Sequence, residues 1–186
     1  MGPSMHPWHD LPSRPSDPTT SVNVVIEIPK GSKLKYELDK ASGMLRVDRV
    51  LHSSVIYPAN YGFMPRTYCD DGDPLDVLVL GSEQVVPMAI TVARPIGLMR
   101  MIDSGNPDDK IVAVHQDDPA FEEYSDIGQL PRHVARELRR FFQDYKTLEH
   151  KEVVVEDLLG RDAALDVIED AIKQYRQCEN QLRGFR

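Results

Sequence analysis

Asp70-Asp71-Gly72-Asp73-Pro74-Leu75-Asp76 runs directly into the apolar stretch Val77-Leu78-Val79-Leu80, so four carboxylates within seven residues sit at the mouth of a buried strand. Two unit charges about 4 Å apart repel by roughly 4 kcal/mol at an effective dielectric of about 20, so the cluster calls for cations beside it. Oxygen-only ligands suit hard divalent ions, and Mg²⁺ typically takes a few carboxylates while sharing its other positions with water and phosphate. Gly72 and Pro74 set a tight bend from which Asp71, Asp73 and Asp76 can converge. A calcium-binding EF-hand fails on spacing: it wants Gly at position 6 and Glu at position 12. Counted from Asp71, those places hold Asp76 and Ser82. An acidic surface turn is the competing reading of the hexapeptide alone.

Outward from this loop, short β-prone runs recur at Val22–Ile28, Lys35–Leu38, Met44–Val50, Leu75–Leu80, Ile90–Pro95 and Lys110–His115. Turn chemistry separates them at Pro29-Lys30-Gly31-Ser32, Ala41-Ser42-Gly43 and Asp103-Ser104-Gly105-Asn106-Pro107-Asp108. The pattern predicts a meandering, mostly antiparallel sheet or barrel. Two helices follow. Pro131 fits the first turn of one running to about Tyr145, with Val134, Leu138, Phe141, Phe142 and Tyr145 on one face. Asp162 fits the N-cap of the other, whose Leu165, Ile168, Ile172 and Tyr175 form an apolar stripe.

The chain of 186 residues is 41% hydrophobic, enough for one core. Residues 22–186 are expected to form a single domain behind an extended, proline-rich arm, residues 1–21. Met1-Gly2-Pro3-Ser4 ahead of Met5 reads as an expression remnant, Trp8 as the residue pinning the arm, and His6 and His9 as surface groups. A net charge of -8 argues against a general nucleic-acid binder or a membrane-surface protein, both of which need a basic face. Cys69 and Cys178 are too few and too far apart for a disulfide framework or a zinc knuckle. No segment approaches the roughly 18 apolar residues of a membrane span, and the first residues lack a secretory apolar region. A cytoplasmic protein is the expectation.

A second acidic loop offers Asp103 and Asp108 beside Lys110; alone it is a solvated turn, but paired with the first loop it could complete a cage for several metals, with Lys110 aimed at a shared anion. A third set comprises Glu27, Lys35, Glu37, Arg49, Tyr57, Tyr61 and the pair Tyr145-Lys146. Each has an ordinary structural reading: Lys35 with Glu37 as a same-face strand pair, Arg49 as an ion-pair partner of Asp48 or Glu37, Tyr57 and Tyr61 as half-buried aromatics.

Taken in order, Val24-Val25-Ile26-Glu27-Ile28-Pro29, Lys35-Tyr36-Glu37, Val47-Asp48-Arg49, Tyr57-Pro58-Ala59-Asn60-Tyr61-Gly62, Asp71-Gly72-Asp73-Pro74-Leu75-Asp76 and Tyr145-Lys146 resemble the signatures of the soluble family I inorganic pyrophosphatases. The likeness spans residues 22 to 157, and six ordered blocks are far more specific than any one. It implies an α+β, mainly β fold, a five-stranded OB-like β-barrel flanked by two main helices. The implied reaction is Mg²⁺-dependent hydrolysis of pyrophosphate to two phosphates, with several Mg²⁺ ions per site, driving biosynthetic reactions that release pyrophosphate. By the same resemblance Asp71, Asp76 and Asp108 look like ligands of the tightest metals, Asp103 and Asp108 like ligands of a metal arriving with substrate, and Glu27 like a further metal ligand. Asp73 looks like the general base. Lys35, Arg49, Tyr61, Lys110, Tyr145 and Lys146 look like the phosphate clamp, with Glu37 and Tyr57 in support. Ser104 departs from many bacterial members, which carry a second acid there; this bears on the third metal's affinity. The segment Met5-His6-Pro7-Trp8-His9-Asp10 is similar to the arm of plant-type members, and a homo-oligomer is implied, a hexamer being favoured.

Three other readings compete. A non-catalytic OB-like binding module needs exposed aromatics on a basic groove, which the charge and 7% aromatic content oppose. A hydrolase of organic diphosphates would be told apart by its turnover of nucleotides. A Ca²⁺ buffer would bind calcium tightly and hydrolyse nothing.

Overall fold

Strand β1 (Val22–Ile28) is buried along its whole length: β4 lies along one edge and β6 along the other, and hydrophobic clusters cover its side chains on both faces. In chain order the strands are β1, β2 (Leu34–Leu38), β3 (Leu45–Val50), β4 (Asn60–Phe63), β5 (Asp76–Leu80), β6 (Ile90–Asp103), β7 (Asn106–Pro107), β8 (Lys110–His115) and β9 (Val153–Gly160). Helix α1 (Arg132–Asp144) precedes β9, and α2 (Arg161–Leu182) follows it. The computed structural model describes residues 5–16 and 20–184; the suggested remnant Met1–Ser4 lies outside them, as does part of the arm.

Pairings run β1–β4–β5–β8–β6 and return from β6 to β1, closing a ring of five strands. This is the five-stranded, OB-like arrangement, mainly β and flanked by two helices. Four of the five contacts in the ring are antiparallel, and β5–β8 is parallel. Along β5, Leu78 and Leu80 join one hydrophobic cluster, and Val77 and Val79 join another; β8 splits in the same way between Val112/Val114 and Ile111/Ala113. Strands covered on both faces read as unbroken apolar runs. Leu138, Phe141 and Phe142 of α1 complete the first cluster, and Ala164, Ile168 and Ile172 of α2 complete the second. Strands β2 and β3 form a separate hairpin, tied to the ring where Leu38 N donates to Glu27 Oε1 at 2.7 Å.

Several element boundaries differ from the sequence reading. Strand β6 does not stop at Pro95 but continues to Asp103, absorbing the proline with a register shift between Pro95 and Gly97. Its extension carries β9, a strand the pattern reading did not separate from its polar surroundings. Strand β4, only four residues long, was hidden in a turn-like motif. Pro131 caps α1 instead of opening its first turn, and Gly160, not Asp162, caps α2. Asp162 lies in the first turn, where its charge complements the helix dipole.

Trp8 is 2% exposed and joins Val25, Phe63 and Tyr175, with Nε1 donating to Thr67 O at 2.8 Å. His9 is not a surface group. It is buried, stacked between His6 and Trp8, and its Nδ1 lies 2.8 Å from Tyr175 Oη. Burial, then the charges of His6 and Arg183, lower its pKa to about 4, so the ring stays neutral near neutral pH. Among the described residues no helix is long and apolar enough to cross a membrane.

Candidate active site

Parallel pairing of β5 with β8 puts their first residues, Asp76 and Lys110, side by side. The Asp70–Pro74 loop enters β5 here and the Asp103–Asp109 loop enters β8, so both acidic loops open on one mouth. A cavity of about 500 Å³ lies there. Of the residues singled out from the sequence, all but Arg49 line it: Glu27 from β1, Lys35 and Glu37 from β2, Tyr57 and Tyr61 around β4, Asp71, Asp73 and Asp76, Asp103, Asp108 and Lys110, then Tyr145 and Lys146 after α1.

The Lys110 ammonium, 3% exposed, pairs with both Asp76 and Asp108. Burial opposes its charge, but the two carboxylates outweigh that and raise its pKa above the ordinary lysine value. Asp103 accepts from Lys146 Nζ, from Tyr145 Oη at 3.2 Å and from Ser104 Oγ at 2.9 Å. Burial works against the Asp103 carboxylate, yet these bonds, led by Lys146, hold its pKa low. Burial, reinforced by neighbouring carboxylates, raises Asp71; burial also outweighs Lys110 and raises Asp108. Glu27, at 6% exposure, is pushed up to about 8 by burial and the charge of Asp76. Burial keeps Tyr57, Tyr61 and Tyr145 protonated, so their phenols are available as donors. Tyr57 and Tyr61 are buried, beyond the half-burial expected for them.

Arg49 is not among the residues lining the cavity; it lies opposite Lys35 in the β2–β3 hairpin. Its Nε donates to Glu149 Oε1 at 2.8 Å, and Nη1 pairs with Asp48, as one of its structural readings anticipated. Its Nη2 is buried and has no hydrogen-bond partner. Lys35 pairs with Glu37 and, at 3.2 Å, with Asp48, so Asp48 orients both cations. The sequence reading did not select Lys40, which lines the cavity and pairs with Asp73. It lies in a turn between two strands, where a lysine gives no distinguishing signal.

Among the described residues no three His, Cys, Asp or Glu side chains are closed tightly enough to hold a metal ion as they stand. The donor chemistry nonetheless fits hard divalent cations. Glu27, Asp71, Asp76, Asp103 and Asp108 all line the cavity and offer oxygen alone. The raised Glu27, Asp71 and Asp108 report negative charge crowded into a poorly solvated space, the condition a cation relieves.

A family model described as inorganic pyrophosphatase matches residues 24–176. Soluble inorganic pyrophosphatase 2 of Chlamydomonas reinhardtii is 56% identical over 176 residues, covering 95% of this chain and 91% of that protein. A soluble inorganic pyrophosphatase of Oryza sativa subsp. indica is 56% identical over 170 residues, covering 91% and 79%. Among solved structures, the inorganic pyrophosphatase from Thermus thermophilus superposes with a TM-score of 0.85 at 38% identity, over 89% of this chain and 97% of that one. That from Helicobacter pylori gives 0.81 at 43% identity, over 84% and 94%.

Proposed function

The chain belongs to the inorganic pyrophosphatase family and is an inorganic diphosphatase that hydrolyses pyrophosphate to phosphate; from that premise we propose that it is a Mg²⁺-dependent, cytoplasmic, homo-oligomeric enzyme whose consumption of pyrophosphate drives pyrophosphate-releasing biosynthesis. A hexamer is the favoured assembly. The observation that carries the Mg²⁺ reading is the cavity in which oxygen donors stand beside lysines and phenols.

Glu27, Asp71, Asp76, Asp103 and Asp108 are the residues that would hold the metal ions. When bound, Mg²⁺ supplies charge screening for the phosphoryl oxygens and makes water a better nucleophile. Asp73 accepts the proton of the attacking water, its carboxylate lying at the cavity edge and half exposed. Lys35, Lys110 and Lys146 offset the charge of the substrate, and Tyr61 and Tyr145 add directional donors. Glu37 holds Lys35, and Tyr57 backs Tyr61 with an edge-on ring contact at 5.5 Å. Hydrolysis breaks one phosphoanhydride bond by attack at phosphorus, and the second phosphate leaves with its charge compensated.

The test is phosphate release from pyrophosphate in excess Mg²⁺, with and without EDTA. Fast release that EDTA abolishes is expected, with much slower release from nucleoside triphosphates; EDTA-insensitive release would remove the metals from the mechanism.

Arg49 joins the phosphate clamp through its spare Nη2. Arg49→Lys keeps a cation for Glu149 but loses the planar fork. An increase in KM of about ten-fold is expected, the size of one hydrogen bond to a charged group. Steady-state kinetics showing an unchanged KM and kcat would place Arg49 outside the clamp.

A further inference from the structure

We propose that Lys40 is a positioning residue that aims the Asp73 carboxylate, and that the N-terminal arm holds Lys40 in place; the idea rests on the reading of Asp73 as the base. The Asp73 loop is closed along its backbone by its own bonds. Gly72 N donates to Cys69 O at 3.0 Å and Cys69 N to Asp73 O at 2.9 Å, while Asp73 N donates to Asp71 Oδ1 at 3.0 Å. Gly72 takes a left-handed φ of 87°, which lets the turn close. None of these bonds fixes the Asp73 side chain. Its carboxylate instead pairs with Lys40, whose Nζ also donates to Gly72 O at 2.9 Å. One ammonium thus grips the loop at two points, backbone and side chain.

Lys40 is itself tethered from outside the catalytic loops. His6 Nε2 lies 3.0 Å from Lys40 O, and Pro7 packs so closely on Gly43 that a Cβ there would meet it at 2.8 Å. His6 stacks on His9, and His9 on Trp8, which is fixed in the core. The turn carrying Lys40 is closed by Gly43 N to Asp39 O at 2.8 Å. A continuous line of contacts therefore runs from a buried tryptophan to the half-exposed carboxylate at the cavity edge.

Stability does not explain the Lys40–Asp73 pair. Both side chains are about half exposed, and such pairs contribute about 0–1 kcal/mol. Geometry does, because a general base has to lie about 2.6–3.2 Å from the atom whose proton it takes. A misplacement of about 1 Å can cost about a hundred-fold.

The experiment compares kcat and KM of the full chain in excess Mg²⁺ for Lys40→Met, Lys40→Arg, His6→Phe, the His6→Phe/Lys40→Met double variant and Asp73→Asn, with Tm recorded for each. Lys40→Met is expected to lower kcat about ten-fold while KM stays within about two-fold, and Lys40→Arg to recover most of the loss. His6→Phe keeps an aromatic ring but removes the bond to Lys40 O, together with the 3.3 Å bond that His6 Nδ1 accepts from Trp8 N; it should lower kcat about two- to three-fold in the parent and not at all in Lys40→Met. A Lys40→Met enzyme with parental kcat, or one changed in KM alone, overturns the positioning role. Equal losses from His6→Phe in both backgrounds overturn the link to the arm. An active Asp73→Asn removes the base itself, and the proposal with it, whereas an inactive Asp73→Asn beside a parental Lys40→Met sinks the proposal alone.

Discussion

Asp73→Asn lowers kcat by about 10²- to 10⁴-fold, the range a positioned general base contributes, and leaves the fold intact. The amide has the shape of the carboxylate but does not accept a proton at neutral pH. Little else changes. The backbone bonds that close the loop, from Cys69 N to Asp73 O and from Asp73 N to Asp71 Oδ1, involve atoms the substitution spares. The side chain is half exposed, so an uncharged group there carries no burial penalty, and losing the pair with Lys40 costs at most about 1 kcal/mol. Mg²⁺ should still raise Tm in the variant, because Asp71, Asp76 and Asp108 are retained. Parallel measurement of kcat and of the Mg²⁺-dependent Tm separates chemistry from metal binding. Undiminished turnover would take Asp73 out of the base role, and loss of the Mg²⁺ effect would make it a ligand.

The acidic hexapeptide was legible because its chemistry and spacing are local: four carboxylates before an apolar run state both a strand start and a cation requirement. The β5 and β8 runs were legible for a related reason, as strands covered on both faces read as nearly unbroken apolar runs. What joins them was not. Nothing in the spacing of Asp76 and Lys110 announces a parallel pairing that sets them side by side. Strand β6 was cut short because a proline normally ends a run, and only the bulge at Pro95–Gly97 carries it further. His9 was misplaced since a histidine in a proline-rich arm looks solvated until Trp8 and Tyr175 are known to enclose it. Lys40 gave no signal, its role resting on a contact with a loop more than thirty residues away. The ordered signatures supplied the long-range information that local pattern lacks, and the pairing of β1, β4 and β5 brings Glu27, Tyr61 and Asp76 to one cavity.

Lys110→Met is expected to lower Tm strongly without metal and much less with it. In the parent, Lys110 is 3% exposed and sits between Asp76 and Asp108. Methionine fills similar volume but leaves two neighbouring carboxylates uncompensated. Removing one member of a buried ionic group costs about 3–5 kcal/mol; the remaining access of water to Asp76 and Asp108, whose side chains are 22% and 17% exposed, argues for about 3 kcal/mol. For a chain of this size that corresponds to a Tm lower by roughly 6–12 °C in EDTA. Excess Mg²⁺ restores positive charge at the same carboxylates and stabilises the folded state by mass action, so the deficit should shrink. Mg²⁺ should raise the variant's Tm by more than it raises the parent's, because in the parent the ammonium and the cation compete for the same oxygens. Thermal unfolding of both proteins in EDTA and in Mg²⁺ reads this difference directly. A deficit of equal size in the two conditions would mean that Lys110 stabilises the barrel through packing against Tyr61, whose ring centroid lies 5.8 Å from its Nζ, and that the carboxylates are balanced from elsewhere.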